Sequence, residues 1–215
     1  METKVPFLST PARRLVAAGV PVLLFAALSY HLLDRPLAAA VRGIEPEIRD
    51  VFQVITLLGD STAYIVFFSL VTLYGAFVLR DGRLWRGSLW ALASVVTGGL
   101  AADAVKALVG RWRPKALFEG GYYGLEPFRT DYLGTSFPSG HAATVFALAY
   151  VLAELFPSYR AFWWAAAVVV GLSRLVVGAH FLGDVVTGAY VCVLCAFLLR
   201  KTVLFGQRRD KEGDP

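Results

Sequence analysis

The residues able to do chemistry in this chain fall in three short stretches: Lys106 with Arg113-Pro114, then Pro138-Ser139-Gly140-His141, then Ser173-Arg174 with His180 and Asp184. Lys106, Arg113 and Arg174 suit a phosphate dianion, and the two arginines can each bind it through parallel hydrogen bonds. Pro138-Ser139-Gly140-His141 opens an apolar segment, and the free N–H groups and positive end of a helix starting there favour an anion. Ser139 can cap that helix or donate its hydroxyl to phosphate, and Gly140 lets backbone approach an oxyanion closely. His180 and Asp184 are spaced i, i+4, which places them on one helical face. A carboxylate there would fix the tautomer of His180 and leave its other nitrogen free to attack phosphorus, while His141 could protonate the leaving oxygen.

Taken singly, each element has a plainer explanation. Lys106 or Arg174 can be a snorkelling side chain, Asp184 a helix cap, and Pro138-Ser139-Gly140-His141 a turn into a helix. His180 and Asp184 could ligate a metal, but the sequence offers no suitable third and fourth ligand beside them. What makes them a site is their placement relative to the apolar segments.

Those segments dominate the composition: 57% of the residues are hydrophobic and 17% charged, against about 25% charged in an ordinary soluble domain. The apolar residues are gathered in runs near the roughly 20 residues needed to cross a bilayer. Six candidate spans result, at about 15–33, 61–79, 84–109, 141–156, 162–179 and 184–199. The fold class expected is all-α: a polytopic membrane protein with six transmembrane helices in a bundle, one further interfacial helix and a loop on the active side. The first span has the basic start of a signal peptide, but its length, and Asp34-Arg35 before the small residues that follow, favour a retained helix. The mixed stretch 36–60 alternates charges with apolar residues, which suits a helix on the membrane surface or a packed extramembrane loop. The long connection 110–140 is rich in glycine, proline and aromatic residues. A single domain over 1–215 is expected, with a disordered tail at about 206–215.

Basic residues set the orientation. Lys4, Arg13 and Arg14, then Arg80, Arg83 and Arg86, then Arg160, then Arg200, Lys201, Arg208, Arg209 and Lys211 all fall on one side of six crossings, which makes both termini cytoplasmic. Arg111, Arg113, Lys115 and Arg129 cluster on the opposite side against the rule, as charges retained for function would. The ends of the third and fifth spans and the starts of the fourth and sixth then meet at one depth on that face. Intramembrane ionisable residues are costly and mark function, so four segments deliver the two histidines, three cations and one carboxylate to one place. The net charge of +5 belongs to basic loops facing anionic lipid, since no basic stripe interleaved with aromatics of the nucleic-acid kind is present. Cys192 and Cys195 form a CxxC inside an apolar run, where inert buried thiols are expected rather than a redox pair.

Lys106-x6-Arg113-Pro114, Pro138-Ser139-Gly140-His141 and Ser173-Arg174-x5-His180-x3-Asp184 together resemble the three-part signature of the type 2 phosphatidic acid phosphatase (PAP2) superfamily, complete, in order and correctly spaced. The resemblance implies an integral membrane lipid phosphatase without cofactor or metal. His180 would form a phosphohistidine, Asp184 would support it, and His141 would protonate the leaving group and then help activate water. Lys106, Arg113, Ser139, Gly140 and Arg174 would hold the phosphoryl oxygens. Bacterial members act on phosphatidic acid, phosphatidylglycerol phosphate, undecaprenyl diphosphate or lipid A phosphates, so the implied partners are a phospholipid or isoprenoid phosphate and the bilayer. The site would lie on the periplasmic or extracellular face of the inner (cytoplasmic) membrane. Soluble vanadium haloperoxidases resemble the same signature, but so apolar a chain does not suit them. A phosphotransferase of the same family, and a transporter moving an anionic lipid, are the alternatives. Outside the signature, Asp103 is placed to pair with Lys106, and His31 is expected to pack at a helix end. Lys115, Glu119, Tyr122, Tyr123 and Arg129 either shape headgroup choice or form an interfacial belt.

Overall fold

The structure, a computed structural model, describes residues 10–205, so the expected tail at 206–215 lies outside the described residues. Among the described residues there is no strand, only an isolated bridge between Arg111 and Leu125. Ten α-helices follow in order: α1 (Thr10–Ala17), α2 (Gly19–Leu32), α3 (Asp34–Arg42), α4 (Pro46–Thr56), α5 (Ser61–Leu73), α6 (Gly82–Val109), α7 (Pro114–Gly120), α8 (Gly140–Leu155), α9 (Arg160–Val176) and α10 (Leu182–Phe205).

Among the described residues four stretches are long and apolar enough to cross a membrane: Pro11–Leu32, Pro46–Val78, Gly82–Val109 and Leu182–Leu204. The other two expected spans are shorter. Helix α8 has 16 residues and α9 has 17, bounded by Arg160 and Arg174; at 1.5 Å per residue each falls roughly one turn short of a hydrocarbon core about 30 Å thick.

The mixed stretch becomes two helices rather than one. Gly43 ends α3, and Pro46 both begins α4 and holds Glu45 in an extended conformation, ψ 142°, because the residue before a proline is pushed out of the helical region. Helix α4 packs on α9 while Val51, Val54 and Leu57 stay exposed, which is the pattern of a helix with one face on protein and another on lipid. A 3₁₀ turn, Leu57–Gly59, then packs against α8. Asp60 caps α5 by accepting from the Thr62 N–H, and α5 continues into a π-helical turn, Tyr74–Val78.

Helix α10 is the axis of the bundle, in contact with α6, α8 and α2. Small residues permit that density, as is usual where helices associate in lipid. Ala102, Ala143, Ala147 and Cys192 form one buried cluster. A Cβ added to Gly98 would overlap the Cys192 sulfur, so the thiol fills a helix–helix contact, as its inert reading requires. A Cβ added to Gly188 would lie 2.4 Å from the Ser139 carbonyl oxygen. Gly188 thereby sets how closely the start of α8 approaches α10, and with it the spacing of the signature residues on those two helices.

Two glycine substitutions separate this packing from helix propensity. Gly188→Ala is expected to destabilise by about 1–3 kcal/mol through overpacking and to lower activity. Gly99→Ala, where an added Cβ meets nothing within 4 Å, is expected to be neutral or to stabilise by up to about 1 kcal/mol. Thermal unfolding in detergent measures both.

Candidate active site

Helix α6 ends on Gly110 in the left-handed conformation, φ +58°. A side chain there would collide with the Glu126 carbonyl, so the turn requires glycine. The chain leaves it extended, held by Trp112 N–H to Gly124 O, Arg113 N–H to Leu133 O, and Ser136 N–H to Arg111 O. Extension sends alternate side chains to opposite sides. Arg111 and Arg113 point into the bundle, while Trp112 stacks on Tyr122 beneath Arg129.

Arg111 is almost fully buried and bridges two buried carboxylates. Its Nη1 donates to Asp184 Oδ1 and its Nη2 to Asp34 Oδ2, both at 2.5 Å. Burial alone would lower its pKa, but Asp184 and Asp34 outweigh that and raise it. The rings of Tyr30 and Phe181 lie 5.1 and 4.5 Å from the guanidinium, and Ser29 Oγ donates to the other oxygen of Asp34 at 2.6 Å. Neither Arg111 nor Asp34 was singled out from the sequence as a site residue. Arg111 was visible only as one of the basic cluster and Asp34 only as a charge ending a span. The pairing joins residues 73 and 77 positions apart, beyond any local spacing.

His180 sits in the turn between α9 and α10, 3% exposed. Its Nδ1 lies 2.8 Å from the Ser136 carbonyl oxygen and 3.8 Å from Asp184 Oδ2. A carbonyl only accepts, so Nδ1 carries the proton and Nε2 keeps its lone pair. The guanidinium Nη1 of Arg113, a donor, stands 3.5 Å from that Nε2 and agrees with the same tautomer. The expectation that Asp184 fixes the tautomer directly therefore needs correction. Asp184 accepts from Ser136 Oγ at 2.6 Å and from the Phe181 N–H at 2.9 Å, and so holds the backbone on both sides of the ring. Ser136, fully buried, passes the constraint on. No motif signal marks it.

The remaining signature residues converge on the same region. Arg113 is anchored by its Nε to Tyr132 O at 2.7 Å and by Nη1 to Ala179 O at 3.2 Å, and burial lowers its pKa. Arg174 donates to the Thr56 hydroxyl at the end of α4, while its Nε is buried without a partner. Thr56 was also missed by sequence reasoning. Lys106 pairs with Asp103 at 2.7 Å, as expected, and a Cβ built on Gly140 would lie 3.3 Å from its ammonium. Ser139 caps α8 by accepting from the Ala142 N–H, the first of its two expected uses. His141 packs against Gly59 and feels the charges of Arg174, Asp60, Arg113 and Lys106.

Arg113 and Arg174 both open onto a cavity of about 540 Å³ lined by α3, α4, α7 and the end of α9, and Ala179, next to His180, is part of its wall. Lys115 and Glu119 face it too. Tyr123 and Arg129 are occupied elsewhere: Tyr123 stacks on Tyr30 and donates to the Tyr30 carbonyl, and Arg129 pairs with Glu126 and Asp131. His31 contacts the edge of Tyr30, a packing role.

Removing the buried cation leaves Asp34 and Asp184 uncompensated. Arg111→Leu is therefore expected to cost about 3–5 kcal/mol of stability, and Asp34→Asn less, because Arg111 then still has Asp184. Unfolding of the two variants in detergent gives the comparison.

The sequence model of the PAP2 superfamily matches residues 87–208, which include every signature residue. The lipid A 1-phosphatase of Rhizobium etli is 33% identical over 174 residues, 75% of this chain and 73% of that protein. That of Rhizobium johnstonii is 33% identical over 173 residues, covering 75% and 69%. Among solved structures, a transmembrane PAP2 type phosphatidylglycerolphosphate phosphatase from Bacillus subtilis superposes with a TM-score of 0.66 at 24% identity, covering 93% of this chain and 97% of that one. LpxE of Aquifex aeolicus gives 0.56 at 23%, covering 79% and 95%. At those identities the two structures speak to the fold. The matched signature, the multi-pass helical fold and the relatives agree: the chain belongs to the PAP2 superfamily, as an integral membrane phosphatase.

Proposed function

We propose that the chain removes phosphate from a membrane lipid, a monoester or diphosphate of the phosphatidic acid, phosphatidylglycerol phosphate, undecaprenyl diphosphate or lipid A type, through a phosphohistidine on His180. The observation that carries this is the state of His180. Its Nδ1–H is committed to the Ser136 carbonyl, and its Nε2 lone pair lies beside Arg113, which itself lines the cationic cavity. The curated relatives support a lipid substrate, and the apolar helices around the site suit one.

In the first step phosphate takes the place of the Nε2–Arg113 contact, and Arg113, Arg174 and Lys106 neutralise its oxygens. Nε2 donates its electron pair to phosphorus as the bond to the leaving oxygen breaks, and His141 gives that oxygen a proton. The ring gains positive charge, which the Nδ1–H bond to Ser136 and the nearby Asp184 stabilise. In the second step His141 takes a proton from water, which attacks phosphorus and releases inorganic phosphate and free Nε2. The charge pattern of the loops supports a site on the periplasmic face of the inner membrane with both termini in the cytoplasm.

His180→Ala is expected to abolish phosphate release from lipid phosphates in purified, detergent-solubilised protein, and release at the wild-type rate would contradict the assignment. The pH profile gives a second check. Only neutral His180 can attack, and burial pushes its pKa down to about 4, from about 6.5 in an exposed histidine. The nucleophile thus stays competent on acidification to about pH 5 and is lost as pH falls through about 4. An acid limb of kcat/KM centred near the unperturbed histidine value of about 6.5 would contradict the buried, low-pKa nucleophile.

A further inference from the structure

One phosphate dianion needs fewer cations than this cavity holds. Beyond Arg113 and Arg174 it is lined by Arg42 at the end of α3, Arg49 on α4 and Lys115 on α7, against one carboxylate, Glu119. Glu119 is taken up in part by Lys115, 3.8 Å away. Among the described residues neither Arg42 nor Arg49 forms an ion pair. Glu47 and Asp50 on α4, and Glu45 just before it, are exposed and pair with neither. The two arginines are held near each other, since Arg49 Nη2 donates to the Arg42 carbonyl at 2.9 Å and its Nε is buried without a partner. The Arg42 guanidinium sits over the Phe118 ring at 4.5 Å, reaching from α3 to α7 across the cavity. Arg42 is exposed and Arg49 half-buried, and with no carboxylate paired to either among the described residues, their charge is available to an anion in the cavity. An anion between them supplies what the protein does not.

We propose that this end of the cavity binds a second phosphate-class anion carried on the same lipid headgroup as the phosphate that reacts. The substrate class is then a lipid with two separated anionic groups: one at Arg113, Arg174 and Lys106, the other at Arg42, Arg49 and Lys115. This rests on the phosphatase reading for the first group only, because the second set stands on its own geometry. The cavity, at about 540 Å³, is within the usual range of about 300–1,000 Å³ for a small-molecule site.

The experiment measures binding, so it does not depend on turnover. Two non-hydrolysable lipid phosphonates are titrated by calorimetry into the protein in neutral detergent, one with the phosphonate alone and one with a phosphodiester added to the same headgroup. Wild-type protein is expected to prefer the two-anion lipid by about tenfold or more, the worth of one charge-assisted contact. Arg42→Gln removes most of that preference and Arg42→Lys restores part of it. Lys115→Gln, altering an exposed side chain, reduces the preference by a smaller factor of about three. Equal preference in wild type and Arg42→Gln overturns the proposal. So does an Arg42-dependent gain for the one-anion lipid when phosphatidylglycerol is added to the micelles, because the second anion would then come from a neighbouring lipid. Phosphate release from the hydrolysable counterparts is scored separately. Its absence in wild type, with the binding preference intact, would remove the phosphatase reading and leave the subsite.

Discussion

Arg111, held between Asp34 and Asp184, is the constraint on which the site depends. Three charges buried at once would be prohibitive without near-complete pairing, and here each carboxylate is supplied with donors. Asp34 accepts from Arg111 and Ser29; Asp184 accepts from Arg111, Ser136 and the Phe181 N–H. Because these partners come from the junction of α2 and α3, the loop after α6, the segment before α8 and the start of α10, one guanidinium fixes four parts of the chain relative to one another. The constraint reaches the reacting centre through Ser136. Its hydroxyl serves Asp184 and its carbonyl serves His180, so the ring orientation that leaves Nε2 free follows from the same network.

The cations of the site differ in how much of their charge is already neutralised. Arg111 has its charge paired with two carboxylates through Nη1 and Nη2 and holds structure. Arg113 is tied to backbone carbonyls, which fix its position without cancelling its charge. Among the described residues Arg174 has a neutral hydroxyl for a partner. Lys106 shares its charge with Asp103, which is 69% exposed, so water already screens that pair. Charge availability therefore rises from the bundle interior toward the cavity. A phosphate bound in the proposed way would meet groups already oriented and with charge to spare, which is the arrangement that electrostatic stabilisation of a transition state requires.

The eight signature residues were legible because each lies at the end of an apolar run, where a charge or a helix-breaking residue stands out and alternating crossings bring the ends together. The helical fold was legible for the same reason, down to the start of α5 and the end of α6. Ser136, Thr56 and Asp34 were not. A serine three residues before the Ser139 cap reads as loop, Thr56 reads as the end of an amphipathic stretch, and Asp34 reads as a boundary charge. Their roles arise from pairings between distant segments that no periodicity encodes. The direct Asp184–His180 bond was the natural inference from i, i+4 spacing, but His180 lies before α10 begins, so helical geometry does not govern that pair. The split of the mixed stretch at Gly43 and Pro46 was visible in residue type and outweighed by the run of alternating charges.

In the proposed mechanism His180 attacks through Nε2 because Nδ1–H is held by Ser136. The most direct measurement is rapid acid-free quenching of enzyme incubated with ³²P-labelled lipid phosphate, followed by identification of the phosphorylated residue and nitrogen by mass spectrometry and ³¹P–¹⁵N NMR. Phosphate on Nε2 of His180 is the predicted result. Phosphate on Nδ1, or on His141 in place of His180, would contradict it.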